Sequence, residues 1–303
     1  MSNKILPKLI VILGPNASGK SDLAARIAKK FNNEIISADS RQVYKGLNIG
    51  SGKITKKEMQ GIQHYLLDIA SPKRRFTVAQ YKKEAEKAIK TIYKKNKTPI
   101  LCGGSGFYIQ AVIDDLILPR VKPNYELREK LEKLSEPKLY QILKNKDPLR
   151  AKAIDQNNKR RLIRALEIIQ QFGKVPKFRK RKKYNLLILG ISLPREKLKK
   201  RIHKRLVKRL KQGMIKEVEN LIKIGVSYKR LEDLGLEYRY LAYYLQGKMK
   251  KAEMTQKLYQ EICQYAKRQM TWFKKDKRVN WIKNYQEAEK LVQNFLKEKA
   301  PVN

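Results

Sequence analysis

Cysteine and histidine are nearly absent from this chain of 303 residues: Cys102, Cys263, His64 and His203 are all there are. The cysteines stand in no CxxC or metal-ligand spacing, and so scattered a set is too small for a zinc centre. The pattern reads as a reduced, cytoplasmic protein. Long apolar runs are missing too. A membrane-spanning helix needs about 18 consecutive apolar residues, whereas the best run, at 9–13, leads straight into a glycine loop. It is also too short for a secretory signal, so it reads as a core strand. Acidic residues are the third scarcity: 28 Asp and Glu against 71 Lys and Arg, a formal net charge of +43. A field of that sign favours polyanions, nucleic acid first, because phosphate contacts dominate nucleic-acid binding. A Lys excess also suits ordinary solvated faces. Neither repeats nor heptads occur, and nothing points beyond a monomer without an obligate protein partner.

What the chain does have is Gly14-Pro15-Asn16-Ala17-Ser18-Gly19-Lys20-Ser21. This fits G-x-x-x-x-G-K-[ST] in the context it requires, between an apolar strand and a helix. By residue frequencies one such match arises by chance in roughly one chain in a hundred of this length. Gly14 and Gly19 let successive N–H groups of Asn16, Ala17 and Ser18 turn inward toward an anion. The helix that follows adds the positive end of its dipole. Lys20 supplies a point charge, and the Ser21 hydroxyl can ligate Mg2+. A di- or triphosphate site follows.

The strand, the loop and a helix to about Phe31 make a first βα unit, with Leu23, Ala24, Ile27, Ala28 and Phe31 on one helical face. A second short strand ends at Asp39. Ligands of open α/β sheets bind beyond the carboxyl ends of the strands, which suits Asp39 as a general base or as an outer magnesium ligand. An Asx turn or helix N-cap is an equally ordinary use of Asp. Four glycines mark 45–63 as a mobile connection, and strands are expected at 63–69 and 98–102 with a Thr77-capped helix between them. The second of these closes on Gly103-Gly104-Ser105-Gly106, where a phosphate-loop ATPase usually places an Asp that holds metal-bound water. That disfavours routine ATP hydrolysis. Residues 120–185 read as wholly helical, best over 125–143 and 151–172, and end in a basic linker at 177–183. A strand at 186–191 follows, then one helix over 195–224 with Arg201 and Arg205 four apart. The aromatic and basic residues of 265–273 can stack on bases or pack inward. The whole is an α/β fold: a P-loop NTPase-like parallel sheet flanked by helices (1–119 and 186–303), with an all-helical insertion domain (120–185).

Further segments stand in order along the chain: Ile-Ser-Ala-Asp-Ser-Arg-Gln-Val-Tyr at 36–44, Gly-Leu-Asn-Ile-Gly at 46–50, Gly-Gly-Ser-Gly-Phe-Tyr at 103–108 and Lys-Arg-Arg-Leu-Ile-Arg-Ala-Leu-Glu at 159–167. Gly-Lys-Val-Pro at 173–176, Gly-Leu-Glu-Tyr-Arg at 235–239 and Arg-Gln-Met-Thr-Trp-Phe at 268–273 complete the set. With these and the phosphate loop, the chain resembles the tRNA dimethylallyltransferases (isopentenyl-diphosphate:tRNA transferases) through most of its length. The lack of a C-terminal Cys/His zinc module suggests the bacterial form.

The resemblance implies transfer of a dimethylallyl group from its diphosphate to the exocyclic amine of the adenine just 3′ of the anticodon in tRNA. The loop then holds the allylic diphosphate, with Mg2+, in place of ATP. By the same likeness Asp39 is the base that takes a proton from the amine, and Ser105, at the family's usual Thr position, lies near it. Ser40, Arg41 and Gln42 recognise the base. Arg128, Arg160, Arg161, Leu162, Ile163 and Arg164 contact the anticodon stem-loop, and Arg201 and Arg205 help to bind diphosphate. Gln63 and Tyr65, beside His64, depart from the family's usual Pro and His, and Asn16 from its commoner Thr. Rival readings are an adenylate isopentenyltransferase acting on free nucleotide, a P-loop kinase and an RNA-binding nucleotide switch. The basic insertion argues against the first and the Gly-Gly-Ser strand end against the second.

Overall fold

The computed structural model describes residues 6–119, 121–176 and 181–298. Most of the basic N-terminal tail, Arg120 at the expected start of the insertion, and residues 177–180 of the basic linker lie outside the described residues. The chain divides into two compact units, Met1–Asp115 with Lys182–Asn303, and Leu116–Arg181.

Among the described residues of the larger unit six strands form one sheet: β1 (Lys8–Leu13), β2 (Glu34–Ala38), β3 (His64–Tyr65), β4 (Pro99–Gly103), β5 (Asn185–Ile191) and β6 (Val279–Ile282). Their order is β3-β2-β4-β1-β5-β6, and every pairing is parallel. A parallel sheet carries helices on both faces, so its central strands read as unbroken apolar runs. In β1 the alternation of side chains sends Leu9, Val11 and Leu13 into one core and Ile10 and Ile12 into the other.

Before the insertion come α1 (Lys20–Lys30), α2 (Lys56–Met59), α3 (Val78–Lys94) and α4 (Gly106–Ile113). The smaller unit holds α5 (Tyr125–Glu132), α6 (Glu136–Lys146), α7 (Pro148–Ala153) and α8 (Lys159–Phe172). After β5 follow α9 (Arg195–Lys211), α10 (Met214–Lys223), α11 (Tyr228–Leu234), α12 (Leu236–Leu245), α13 (Lys251–Phe273) and α14 (Tyr285–Lys297). Helices α1 and α14 cover one face of the sheet with Leu23, Ile27, Val292 and Phe295. Residues of α3, α4 and α9–α13 cover the other. In the smaller unit Leu131, Leu139, Leu143, Leu162 and Leu166 form a separate core.

The start of α3 is as expected. Thr77 Oγ1 accepts the Gln80 N–H, and Gln80 Oε1 accepts the Thr77 N–H, a reciprocal capping box. Elsewhere the elements are shorter than periodicity predicts. The strand at 63–69 keeps only His64 and Tyr65, because Leu66 (φ 65) and Asp68 (φ 56) leave the extended region. The single helix over 195–224 is two, broken at Gly213 with φ 94. Periodicity survives such a break, since Leu206 and Met214 still face one core. The stretch at 125–143 is α5 and α6, parted ahead of Pro137, which occupies the first turn of α6. That at 151–172 becomes α7 and α8, with Asn158 accepting the Arg161 N–H to cap the second. The expected mobile connection at 45–63 is pinned: Lys53 Nζ donates to the Tyr44 carbonyl and to Asn48 Oδ1, each at 2.9 Å, and pairs with Asp68.

Candidate active site

The sheet order sets the place. The chain leaves β1 toward β2 on one side and returns to β5 on the other, so a crevice opens beyond the carboxyl end of β1. Three loops meet there, after β1, β2 and β4.

The first loop is the phosphate cradle. Gly19 has φ 100 just ahead of α1, a conformation that disfavours any side chain. At Gly14 a Cβ would come within 2.8 Å of Ser18 Oγ and 3.2 Å of the Ile191 carbonyl oxygen. Asn16, Ala17, Lys20 and Ser21 line the pocket, while the buried Ser18 hydroxyl lacks a hydrogen-bond partner among the described residues. Lys20 Nζ donates to the Pro15 carbonyl at 3.3 Å.

Asp39 is a turn residue that also lines the pocket. Its Oδ1 accepts the Arg41 N–H at 2.8 Å and the Gln42 N–H at 3.3 Å, an Asx turn that closes β2. The other oxygen carries no hydrogen bond among the described residues, and Asp39 lines the pocket. Ser105 stitches the end of β4 to this turn: its N–H donates to the Ala38 carbonyl and its Oγ accepts the Ser40 N–H at 2.9 Å. Arg41 donates to the Ser40 carbonyl and the Leu234 carbonyl. Gln42 lines the pocket and donates to the Gly52 carbonyl at 3.2 Å.

Helix α9 brings the cations. Ile202, Arg205, Leu206 and Arg209 fall at helical spacing on one face and line the pocket together. Arg201, one turn earlier, reaches the cradle, donating to the Ser18 carbonyl at 3.3 Å. Burial, reinforced by Arg209, pushes the Arg205 guanidinium down to about 10. Burial also lowers the Lys20 ammonium, with Arg205 and Arg209 adding to the effect and Asp39 opposing it. Glu237, the second carboxylate of the lining, is raised by burial against the pull of Arg209. Burial is thus the main strain on the Lys20 and Arg205 charges, and the neighbouring guanidiniums add to it. A polyanion bound among them removes that strain.

Sequence reading missed three of these residues. Arg209 continues the i, i+4 row of Arg201 and Arg205 and was within reach of that pattern. Glu237 and Gln269 stand inside the segments 235–239 and 268–273 that carry the resemblance, but no role was read for either. Gln269, on α13, is buried; its Oε1 accepts the Asn16 N–H at 2.9 Å and its Nε2 donates to the Gly104 carbonyl at 2.8 Å, tying the cradle to the β4 loop. The aromatics of α13 divide: Phe273 is buried, while Trp272 lies over Gly106, where a Cβ would meet its Cδ1 at 2.4 Å.

The smaller unit places its expected RNA contacts differently from one another. Leu162 and Ile163 are core residues, so their side chains are closed to a ligand, and the apolar periodicity of α8 accounts for them. Arg160 and Arg161 are exposed. Arg128 forms a two-pronged pair with the buried Glu167, both contacts at 2.7 Å, and Arg164 joins it at 3.1 Å. Burial raises the Glu167 carboxyl, but hydrogen bonds from Arg128, the Asn124 N–H and Arg164 outweigh it and hold the group below its ordinary value. Its stabilisation is therefore complete above the unfolded pKa of about 4.3 and is lost as pH falls through the lower folded value. Glu167→Gln leaves Arg128 half-paired and costs about 1.5–3 kcal/mol, read as faster amide hydrogen exchange in α5 and α8. Unchanged exchange would show the triad to be dispensable.

Comparison with known proteins places this geometry. A family model described as IPP transferase matches residues 42–276. The tRNA dimethylallyltransferase of a Thermoanaerobacter species is 40% identical over 306 residues, covering 95% of this chain and 97% of that protein. That of Anoxybacillus flavithermus is 42% identical over 281 residues, covering 91% and 90%. Among solved structures, the tRNA isopentenylpyrophosphate transferase of Bacillus halodurans matches with a TM-score of 0.74 at 34% identity, covering 96% of this chain and 97% of that one. A eukaryotic dimethylallyltransferase acting on tRNA matches with a TM-score of 0.82 at 25% identity, covering 98% and 81%. A parallel sheet ending in a phosphate cradle, and relatives this similar along nearly its whole length, give one conclusion: the chain belongs to the IPP transferase family, that of the tRNA dimethylallyltransferases.

Proposed function

We propose that this protein transfers a dimethylallyl group from dimethylallyl diphosphate to the exocyclic amine of the adenine 3′-adjacent to the anticodon of tRNA. The observation that carries the reading is the pocket itself, where a phosphate cradle, a crowded set of cations and an Asp39 oxygen without a hydrogen bond among the described residues converge. Lys20, Arg201, Arg205 and Arg209 take the diphosphate, and Ile202, Leu206 and Ile262 give the same pocket an apolar wall for the prenyl group. The amine nitrogen attacks the allylic carbon, the carbon–oxygen bond to diphosphate breaks, and the amine proton passes to Asp39. An aryl amine is a weak nucleophile, so a positioned base and stabilisation of the departing charge are the two contributions the protein can make. The target base must leave its stack to enter the pocket, and Ser40, Arg41 and Gln42 border its path. Arg160 and Arg161 of the insertion, with Arg128 and Arg164 beside Glu167, hold the stem-loop backbone.

The donor set suits magnesium: Ser21, with its hydroxyl, and Asp39 line the same pocket, and Mg2+ favours a few hard oxygens together with phosphate and water. Bound there, it would neutralise charge on the diphosphate. The compartment we assign is the cytoplasm. Among the described residues no helix is long and apolar enough to cross a membrane.

The test is a transfer assay with labelled dimethylallyl diphosphate, Mg2+ and either an anticodon stem-loop or free AMP. Label is expected on the stem-loop alone. Label on AMP alone moves the protein to the free-nucleotide branch, and label on neither removes the transfer reading.

A further inference from the structure

The loop 48–52 forms one wall of the pocket through Ser51 and Gly52, and its carbonyls aim the cations. The Gly52 carbonyl accepts from Arg205 and the Gly50 carbonyl from Arg209, each at 3.3 Å. This loop has no regular secondary structure to define it. Turn hydrogen bonds within it, from the Gly52 N–H to the Ile49 carbonyl and the Lys53 N–H to the Asn48 carbonyl, are joined by support from outside. Glu217, on α10, accepts three successive N–H groups, those of Asn48 (2.9 Å), Ile49 (2.6 Å) and Gly50 (3.0 Å). Tyr238, on α12, is 1% exposed. Its hydroxyl accepts the Ser51 N–H and donates to Glu217 Oε1, both at 3.0 Å. Consecutive N–H groups converging on one point form an anion nest, and here the chain's own carboxylate fills it.

From this arrangement we infer that Glu217 and Tyr238 are positioning residues for diphosphate: they hold loop 48–52 so that its carbonyls keep the Arg205 and Arg209 guanidiniums directed into the pocket. Neither side chain lines the pocket, so neither touches substrate. Burial keeps the Tyr238 phenol protonated well beyond the ordinary range, so it remains a donor at any working pH. The fit is close. A Cβ at Gly50 would come 2.8 Å from Tyr238 Cζ, and one at Gly52 would fall 1.4 Å from Arg209 Nη2. Gly52 also has φ 62. Two glycines therefore let the loop lie against the tyrosine on one side and the guanidinium on the other.

The inference rests on the pocket being a diphosphate site, and the test separates the two. Inorganic pyrophosphate with Mg2+ is titrated by calorimetry into the full chain as wild type, Glu217→Ala, Glu217→Gln, Tyr238→Phe and Gly50→Ala. Val292→Ala, in α14 on the opposite face of the sheet, serves as a variant destabilised elsewhere. All are measured below their melting temperatures, with stem-loop RNA affinity measured in parallel. Misaimed guanidiniums are expected to weaken pyrophosphate binding by about tenfold or more in Glu217→Ala and Gly50→Ala. Glu217→Gln and Tyr238→Phe should fall between these and wild type, with RNA affinity and Val292→Ala unchanged. Unaltered pyrophosphate binding in Glu217→Ala overturns the inference, as does an equal loss in Val292→Ala or an equal loss of RNA affinity. A wild type that binds no pyrophosphate removes the diphosphate reading beneath it.

Discussion

Asp39→Asn lowers the single-turnover transfer rate on the order of 100-fold or more, with stem-loop affinity and thermal stability close to wild type. The substitution is chosen by the geometry. An asparagine keeps the oxygen that accepts the Arg41 and Gln42 N–H groups, so the turn closing β2 survives while the proton acceptor is lost. Asp39→Ala removes both, and it should lose melting temperature as well as rate because two backbone donors are left without their partner. The pair of variants separates chemistry from structure at one position. Turnover by Asp39→Asn at the wild-type rate would leave Asp39 as a turn residue only, and the base would have to be sought elsewhere.

Lys20→Met is expected to cost on the order of 10²–10³ in transfer rate and to weaken pyrophosphate binding. Methionine retains most of the aliphatic stem, so the loss isolates the charge. The pH dependence supplies a second signature. Because burial lowers the Lys20 ammonium, the free protein sheds this proton at a lower pH than an ordinary lysine. The protonated form attracts diphosphate, so the Lys20 contribution to affinity is fully present below the lowered value and is lost as pH rises through it. The variant should lack that limb and keep only the decline that follows Arg205 near its shifted value of about 10. Identical pyrophosphate affinity and identical pH profiles in the two proteins would place the anion away from Lys20.

What could be read from the sequence was whatever local chemistry determines. The phosphate loop announces itself because glycines at fixed offsets and a following helix are all it needs. The apolar strands were legible because both faces of the sheet are covered. Residues 63–69 were misjudged because the positive φ at Leu66 and Asp68 is imposed by tertiary contacts and not by glycine. Helix breaks at Gly213 and before Pro137 were blurred because the apolar stripe continues across them. Arg209 could have been found by extending one spacing rule. The roles of Glu217, Tyr238 and Gln269 could not, even though the last two lie in the noted segments 235–239 and 268–273, since each acts on backbone more than 150 residues away in sequence. A long-range hydrogen bond leaves no periodic trace.

The strand order also bears on how the molecule comes into being on the ribosome. β1 is made first, yet its partner on one side, β5, begins only at Asn185. Through the synthesis of more than half the chain, including all of the helical insertion, one long edge of the central strand has no neighbour. An apolar, unpaired parallel edge invites association with other nascent chains. The insertion has a core of its own, so it can complete its packing during that interval, while the larger unit waits for a strand that arrives after it. The cradle waits longer still, because the glutamine that braces Asn16 is residue 269. In the order of synthesis, the first loop written is among the last to be finished.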